Sequence, residues 1–227
     1  MIDTYVIFYN GDEKSTSSLA RNYLDGATLE YVESTKNPTQ RTSRAIAYSL
    51  LFYVLGALYS FKNFTLQRDE NRKPYIVLED GRRINVSLSH DGSAAAVAVS
   101  EGLLPIGVDL QRECEMRHRE QLATRYFPTG EFSPNGEINI RTAALSSDGR
   151  IYLTDNRILP HLIEKNATPD SFCAGWSLYE AVVKCDGRGI GTRGISGDKF
   201  NLSYAKISVS EEVYHIATAE EKVKNEE

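Results

Sequence analysis

The sequence is short of cysteine. Cys114, Cys173 and Cys185 are its three, an odd count whose spacing matches no zinc or redox pattern. Free thiols in a reducing compartment are therefore expected. A secretory leader is also missing: the start, MIDTYVIFYN, has no basic segment followed by a long apolar run. The longest apolar stretch, Ala45 to Leu58, falls short of the ~20 residues that cross a bilayer as a helix. An excess of basic charge is lacking, since the net charge is -5, and this argues against a dedicated nucleic-acid binder. Arg112, Arg117, His118, Arg119 and Arg125 do gather in one stretch, which spacing alone reads as a solvated helix face. No P-loop and no dense carboxylate cluster is visible. The expectation is a cytoplasmic protein with neither nucleic acid nor membrane as partner.

What is present is a chain of 227 residues, long enough to bury a core without staples. Thr4 to Tyr9 reads as a strand. Asn37-Pro38 is an N-cap with proline at the first helical position, and Ala47, Leu50, Leu51, Val54, Leu55 and Leu58 follow at helical spacing. Arg41 and Arg44 sit in the first turns, off that stripe. Pro74 to Leu78 reads as a strand. So do Ile84 to Ser89 and Ala94 to Ser100, which turn at Asp91-Gly92, and Leu104 to Leu110. A helix is expected over Cys114 to Tyr126. Ile138 to Leu145 and Ile151 to Arg157 suggest a hairpin, Trp176 to Cys185 a helix stopped at Asp186-Gly187, and Leu202 to Ala217 a last hairpin. Each half offers a helix and strands in similar order. The fold class expected is α+β, with halves 1–103 and 104–227 and an insertion around 133–171.

Four groups of residues carry chemistry. Ser89-His90 closes a strand at a turn and offers two donors to a phosphate. In Gly107-Val108-Asp109-Leu110-Gln111, alternation puts Asp109 and Gln111 on one face, where a carboxylate and an amide oxygen suit a hard cation such as Mg²⁺. Glu180 and Lys184 share a helical face, as a surface ion pair or as a metal ligand beside a phosphate contact. The fourth, Arg72-Lys73-Pro74, is a weaker signal, a basic residue before a turn, and the glycine-rich run from Asp186 to Gly191 reads most simply as a helix stop and loop. Taken singly, each group has a plain structural reading: a turn histidine, a strand-ending aspartate, a surface pair, a helix stop.

Taken in order, these stations resemble the surfactin-type 4′-phosphopantetheinyl transferases. The matching positions are Lys73-Pro74, Ser89-His90, Gly107-Val108-Asp109, Arg125-Tyr126-Phe127 with Glu131, and Trp176 through Lys184. The likeness runs from Arg41 to Gly189, except for 133–171. It implies two α+β halves related by a pseudo-twofold, with coenzyme A bound between them. It implies Mg²⁺-dependent transfer of the phosphopantetheine arm to a serine of an acidic apo carrier protein, releasing adenosine 3′,5′-bisphosphate. Asp109 and Glu180, with Gln111 at a third place, are the implied Mg²⁺ ligands. Glu180 is also implied to help deprotonate the serine. Lys184 is implied to neutralise the pyrophosphate, Ser89 and His90 to hold the nucleotide end, Arg41-Thr42 its 3′-phosphate, and Lys73 the adenine and its phosphates.

Three departures stand out. Gln111 replaces a second acid, Tyr179 replaces a basic residue before Glu180, and 133–171 is longer than the family's usual link. The basic cluster then becomes a docking face for the acidic carrier. A monomer is the simpler expectation for two halves in one chain. The alternative is a non-catalytic relative that binds coenzyme A or a carrier.

Overall fold

The computed structural model describes residues 2–9, 13–115, 121–122, 125, 132–136, 138–146, 148–154, 163–165, 167–169, 171–190 and 195–223. In chain order they form β1 (Asp3–Phe8), α1 (Glu13–Tyr23), α2 (Gly26–Glu33) and α3 (Pro38–Tyr53), which ends in a π-helical turn (Val54–Leu58). Next come β2 (Phe64–Arg68), β3 (Pro74–Leu78), β4 (Arg83–Asp91), β5 (Ala94–Ser100), β6 (Ile106–Arg112), β7 (Asn139–Leu145), β8 (Ile151–Leu153) and β9 (Ile163–Lys165). The chain closes with α4 (Phe172–Asp186), a 3-10 turn (Gly197–Lys199), β10 (Phe200–Val209) and β11 (Glu212–Glu221). The class is α+β. One sheet runs β2-β3-β4-β5-β1-β7-β8 and the other β6-β11-β10-β9.

Strand alternation sets the layers. On β5, Ala95, Val97 and Val99 face a core shared with Ile46, Leu50, Leu51 and Leu55 of α3 and its π turn. Ala94, Ala96 and Ala98 face the other way, against Val108 and Leu110 of β6 and Ile216 of β11. Alanine on that face lets the two sheets approach closely. A third cluster seats Leu178, Ala181 and Val182 of α4 on Tyr204, Ala217 and Ala219 of the second sheet. The order across the molecule is therefore α1–α3, first sheet, second sheet, α4. Each fully buried leucine or isoleucine in these clusters contributes ~1.5–3 kcal/mol of transfer free energy.

The sheets are also stitched by polar contacts. β6 is an edge strand, and an edge leaves backbone N–H groups open. Ser87 Oγ accepts from Val108 N at 3.0 Å, and Asp91 Oδ2 accepts from Arg112 N at 2.8 Å. Side chains of β4 thus satisfy the free edge of β6 and draw Ser89 against Asp109.

Most expected elements form. Asn37 Oδ1 accepts from Gln40 N at 3.1 Å and starts α3 one residue before its proline. The hairpins β4–β5, β7–β8 and β10–β11 pair antiparallel. The link expected near Gly102 to Pro105 is where the chain leaves the first sheet for the second. α1, α2 and β2 were not foreseen. Within 133–171 the described strands divide: β7 pairs parallel with β1 and, with β8, extends the first sheet, while β9 pairs with β10 in the second. Most of the helix expected over Cys114 to Tyr126 lies outside the described residues, as do Arg117, His118, Arg119, Tyr126, Phe127 and Glu131.

Candidate metal and phosphate site

α4 is fixed on β6 at three places, and these fix the site. Ser171 caps its start, with Oγ accepting from Ala174 N at 3.2 Å and donating to Glu113 Oε2 at 2.8 Å. In its middle, Gly107 of β6 lies directly beneath the helix. A Cβ at Gly107 would stand 2.0 Å from Ala181 O, so only glycine allows this approach. At its end, Lys73 Nζ reaches over from the β2–β3 turn and donates to Cys185 O at 2.7 Å. That carbonyl belongs to the last turn, where no intrahelical donor remains. Gly187 then closes the helix with φ +85°.

This seating lowers Glu180 and Lys184 onto Asp109. Asp109 is 2% exposed. Lys184 Nζ donates to Asp109 Oδ1 at 2.6 Å and to Ser89 Oγ at 3.0 Å, while Ser89 Oγ donates to the same Oδ1 at 2.8 Å. Lys184 also lies 3.9 Å from Glu180, one turn back. Asp109 Oδ2 is buried with no hydrogen-bond partner among the described residues. Burial, and then the neighbouring Asp109, push the Glu180 carboxyl up to about 7. The charge of Asp109 is part of what raises Glu180, so the two acids interact closely.

The donor set fits Mg²⁺ in part. Asp109 is buried and Glu180 half-buried beside it, one Asp109 oxygen has no partner among the described residues, and Mg²⁺ takes one or two carboxylates plus waters and phosphate oxygens. No group of three or more His, Cys, Asp or Glu that could hold a metal occurs among the described residues. Gln111 shares Asp109's strand face but is engaged elsewhere. Its Nε2 donates to Asp91 Oδ2 at 2.7 Å and to Arg112 O at 3.2 Å.

Glu180 and Lys184 of this cluster line a cavity of about 360 Å³ between α3, the β2–β4 strands and α4; Asp109 and Ser89 lie behind them and are not among its described lining residues. Arg44, Arg68, Arg72, Lys73, His90 and Lys184 line it, against the single carboxylate of Glu180 among the described lining residues. The wall is preorganised by aromatic contacts. The Arg68 guanidinium stands 4.6 Å from the Tyr31 ring and donates to Tyr48 Oη, and Arg44 lies 5.5 Å from the same ring. Burial lowers the Lys73 ammonium. Burial, then Lys184 and Arg44, lowers His90 as well. A cavity that makes its own cations costly favours an anionic occupant.

The chain matches no protein-family model, and no curated protein matches it.

The structure brings together Lys73, Ser89, His90, Asp109, Glu180 and Lys184. It places Arg41 and Thr42 elsewhere, in a separate cavity of about 290 Å³ with Thr16, Arg21 and Glu33. Arg44 and Tyr48, one turn apart on α3, face the main cavity instead. Arg68 escaped the sequence reading, and Arg72 entered it only beside Lys73-Pro74, as a basic residue before a turn. Their signal was faint: a basic hairpin turn just ahead of Lys73-Pro74, with Arg72 held at φ +65°.

Proposed function

We propose that the protein transfers the 4′-phosphopantetheine arm of coenzyme A to a serine of a small acidic carrier protein, with Mg²⁺ as cofactor. The observation that carries this reading is the Asp109–Glu180–Lys184 cluster, with an unsatisfied carboxylate oxygen, whose Glu180 and Lys184 line a basic cavity. The ordered sequence stations converge on the same residues.

In this reading Arg44, Arg68, Arg72 and His90 bind the phosphates of the nucleotide end, and Lys73 flanks them while tied to α4. Asp109 and Glu180 hold the metal, which supplies charge neutralisation at the pyrophosphate. Lys184, already poised over Asp109, turns to the pyrophosphate as a second cation. A carboxyl raised to about 7 suits proton acceptance near neutral pH, so Glu180 takes the proton of the carrier serine, directly or through water. The serine oxygen forms a bond to the phosphorus bearing the pantetheine arm. The bond from that phosphorus to the bridging oxygen breaks, and adenosine 3′,5′-bisphosphate leaves. Positioning and charge account for the catalysis, without a covalent enzyme intermediate.

The reading implies two like halves, 1–103 and 104–227, about a pseudo-twofold, in a cytoplasmic monomer. Support comes from α3 on the first sheet and α4 on the second, which flank one cavity. A second reading has a specific basis: among the described residues only Asp109 and Glu180 converge, and Gln111 is bound to Asp91. That reading is a protein that binds coenzyme A or a carrier without transfer. Incubation with coenzyme A, Mg²⁺ and apo carriers, followed by carrier mass, separates the two. A gain of one phosphopantetheine arm, lost in Glu180→Ala, supports transfer. Unmodified carrier across acyl and peptidyl types overturns it in favour of binding.

A further inference from the structure

His215 on β11 is buried, and it is not among the side chains lining the cavity. Its Nδ1 pairs with the Tyr204 hydroxyl of β10 at 2.6 Å, and its Nε2 pairs with Glu113 Oε2 just beyond β6. The same Glu113 oxygen accepts from Ser171, the N-cap of α4, at 2.8 Å. An unbroken polar chain thus runs from the floor of the second sheet to the first turn of the helix that carries Glu180. Serine, histidine and glutamate together invite comparison with a hydrolytic triad, but the geometry is wrong for one. A triad needs the nucleophile and the acid on opposite imidazole nitrogens. Here both lie at Nε2, with Ser171 Oγ 3.4 Å away, and tyrosine occupies Nδ1.

We propose that Glu113, His215 and Ser171 form a positioning latch that holds the start of α4 against the end of β6 and so sets Glu180 against Asp109. This rests on reading Asp109 and Glu180 as Mg²⁺ ligands. Gly107 beneath Ala181 fixes the middle of the helix, and Lys73 at Cys185 O fixes its end. Neither holds its first turn. The Glu113–Ser171 bond does, on the far side of Asp109 along the strand, so the whole length of the helix keeps one orientation on β6. His215 is sandwiched between Glu113 and Tyr204 and keeps Glu113 directed at Ser171. None of the three touches the reacting atoms.

The test titrates Mg²⁺ in the presence of coenzyme A and reads the fluorescence of Trp176. It is the chain's single tryptophan, one helical turn before Glu180 on the same helix, and it is among the groups that tune the Glu180 carboxyl. Coenzyme A binding without metal and thermal melting are measured in parallel. Ser171→Thr keeps both the cap and the donated hydrogen bond and should match wild type. Glu113→Ala breaks the link, and Ser171→Asp keeps the cap but repels Glu113. Both should raise half-saturating Mg²⁺ roughly tenfold or more while metal-free coenzyme A binding stays unchanged. Lower melting with Mg²⁺ half-saturation unmoved overturns the latch and leaves the metal reading intact. A wild-type protein with no Mg²⁺ response overturns the metal reading, and the latch with it.

Discussion

Two carboxylates buried side by side repel unless a proton or a cation stands between them. Asp109 is buried with half-buried Glu180 beside it; Lys184 is bound to one oxygen of Asp109, and the other has no hydrogen-bond partner among the described residues. The Glu180 carboxyl is raised from 4.5 to about 7, so between those values the folded state holds a proton that the unfolded chain has lost. Stability from this source is full below the unfolded value and is lost as pH rises through the folded one. Without metal, unfolding free energy should fall by up to about 3 kcal/mol between the two values. Urea titrations across that range should show the decline. Glu180→Gln should flatten it, and saturating Mg²⁺ should reverse it. A pH-independent wild type would contradict the pairing. Gln111 allows a second residue-scale prediction. Restoring the acid with Gln111→Glu would set a carboxylate against Asp91 in place of the present 2.7 Å hydrogen bond. The variant should lose about 1–3 kcal/mol of stability in denaturant melts and gain no Mg²⁺ affinity.

Among the elements, the β6–α4 pair governs the site. Gly107→Ala would push Cβ into Ala181 O, with backbone and not a flexible side chain in the way. A loss of about 1–3 kcal/mol or more is expected, with Mg²⁺ response lost before folding is, read by melting and Trp176 fluorescence together. At the start of α3, Asn37→Ala should cost about 1 kcal/mol through the lost cap to Gln40 while metal binding is retained. Much at this scale was legible in the sequence. The cap and proline of α3, the Asp91-Gly92 turn and the Asp186-Gly187 stop are local signals with local causes. α1 was not legible, because EKSTSSLARNY is largely polar and its buried face includes Thr16 and Ala20 beside Leu19, a weak apolar signal in sequence. Nor could spacing decide between Arg41 and Arg44. Both lie off the apolar stripe, and which one enters the cavity depends on how the core rotates the helix.

Across the whole molecule, the two sheets meet over alanines of β5 and over the serine and aspartate contacts from β4 to β6. The site occupies that junction, where a strand end of each sheet and a helix from each outer layer converge. Chain order showed Ser89, Asp109 and Glu180 as separate stations, and only the layering makes them neighbours. Parallel pairing of β7 with β1 was hidden for the same reason: it joins residues far apart in sequence, and no local pattern selects the partner. The layered arrangement leaves the cavity open at its rim, where Ile190 is 59% exposed. A carrier serine has to enter from such an opening, and coenzyme A alone is not expected to react. The most direct test measures adenosine 3′,5′-bisphosphate released from coenzyme A against carrier mass gained, with and without apo carrier. Release in one-to-one proportion with the gain, and none without carrier, is the expected result. Release without carrier, or carrier left unmodified while coenzyme A is bound, would contradict the transferase reading.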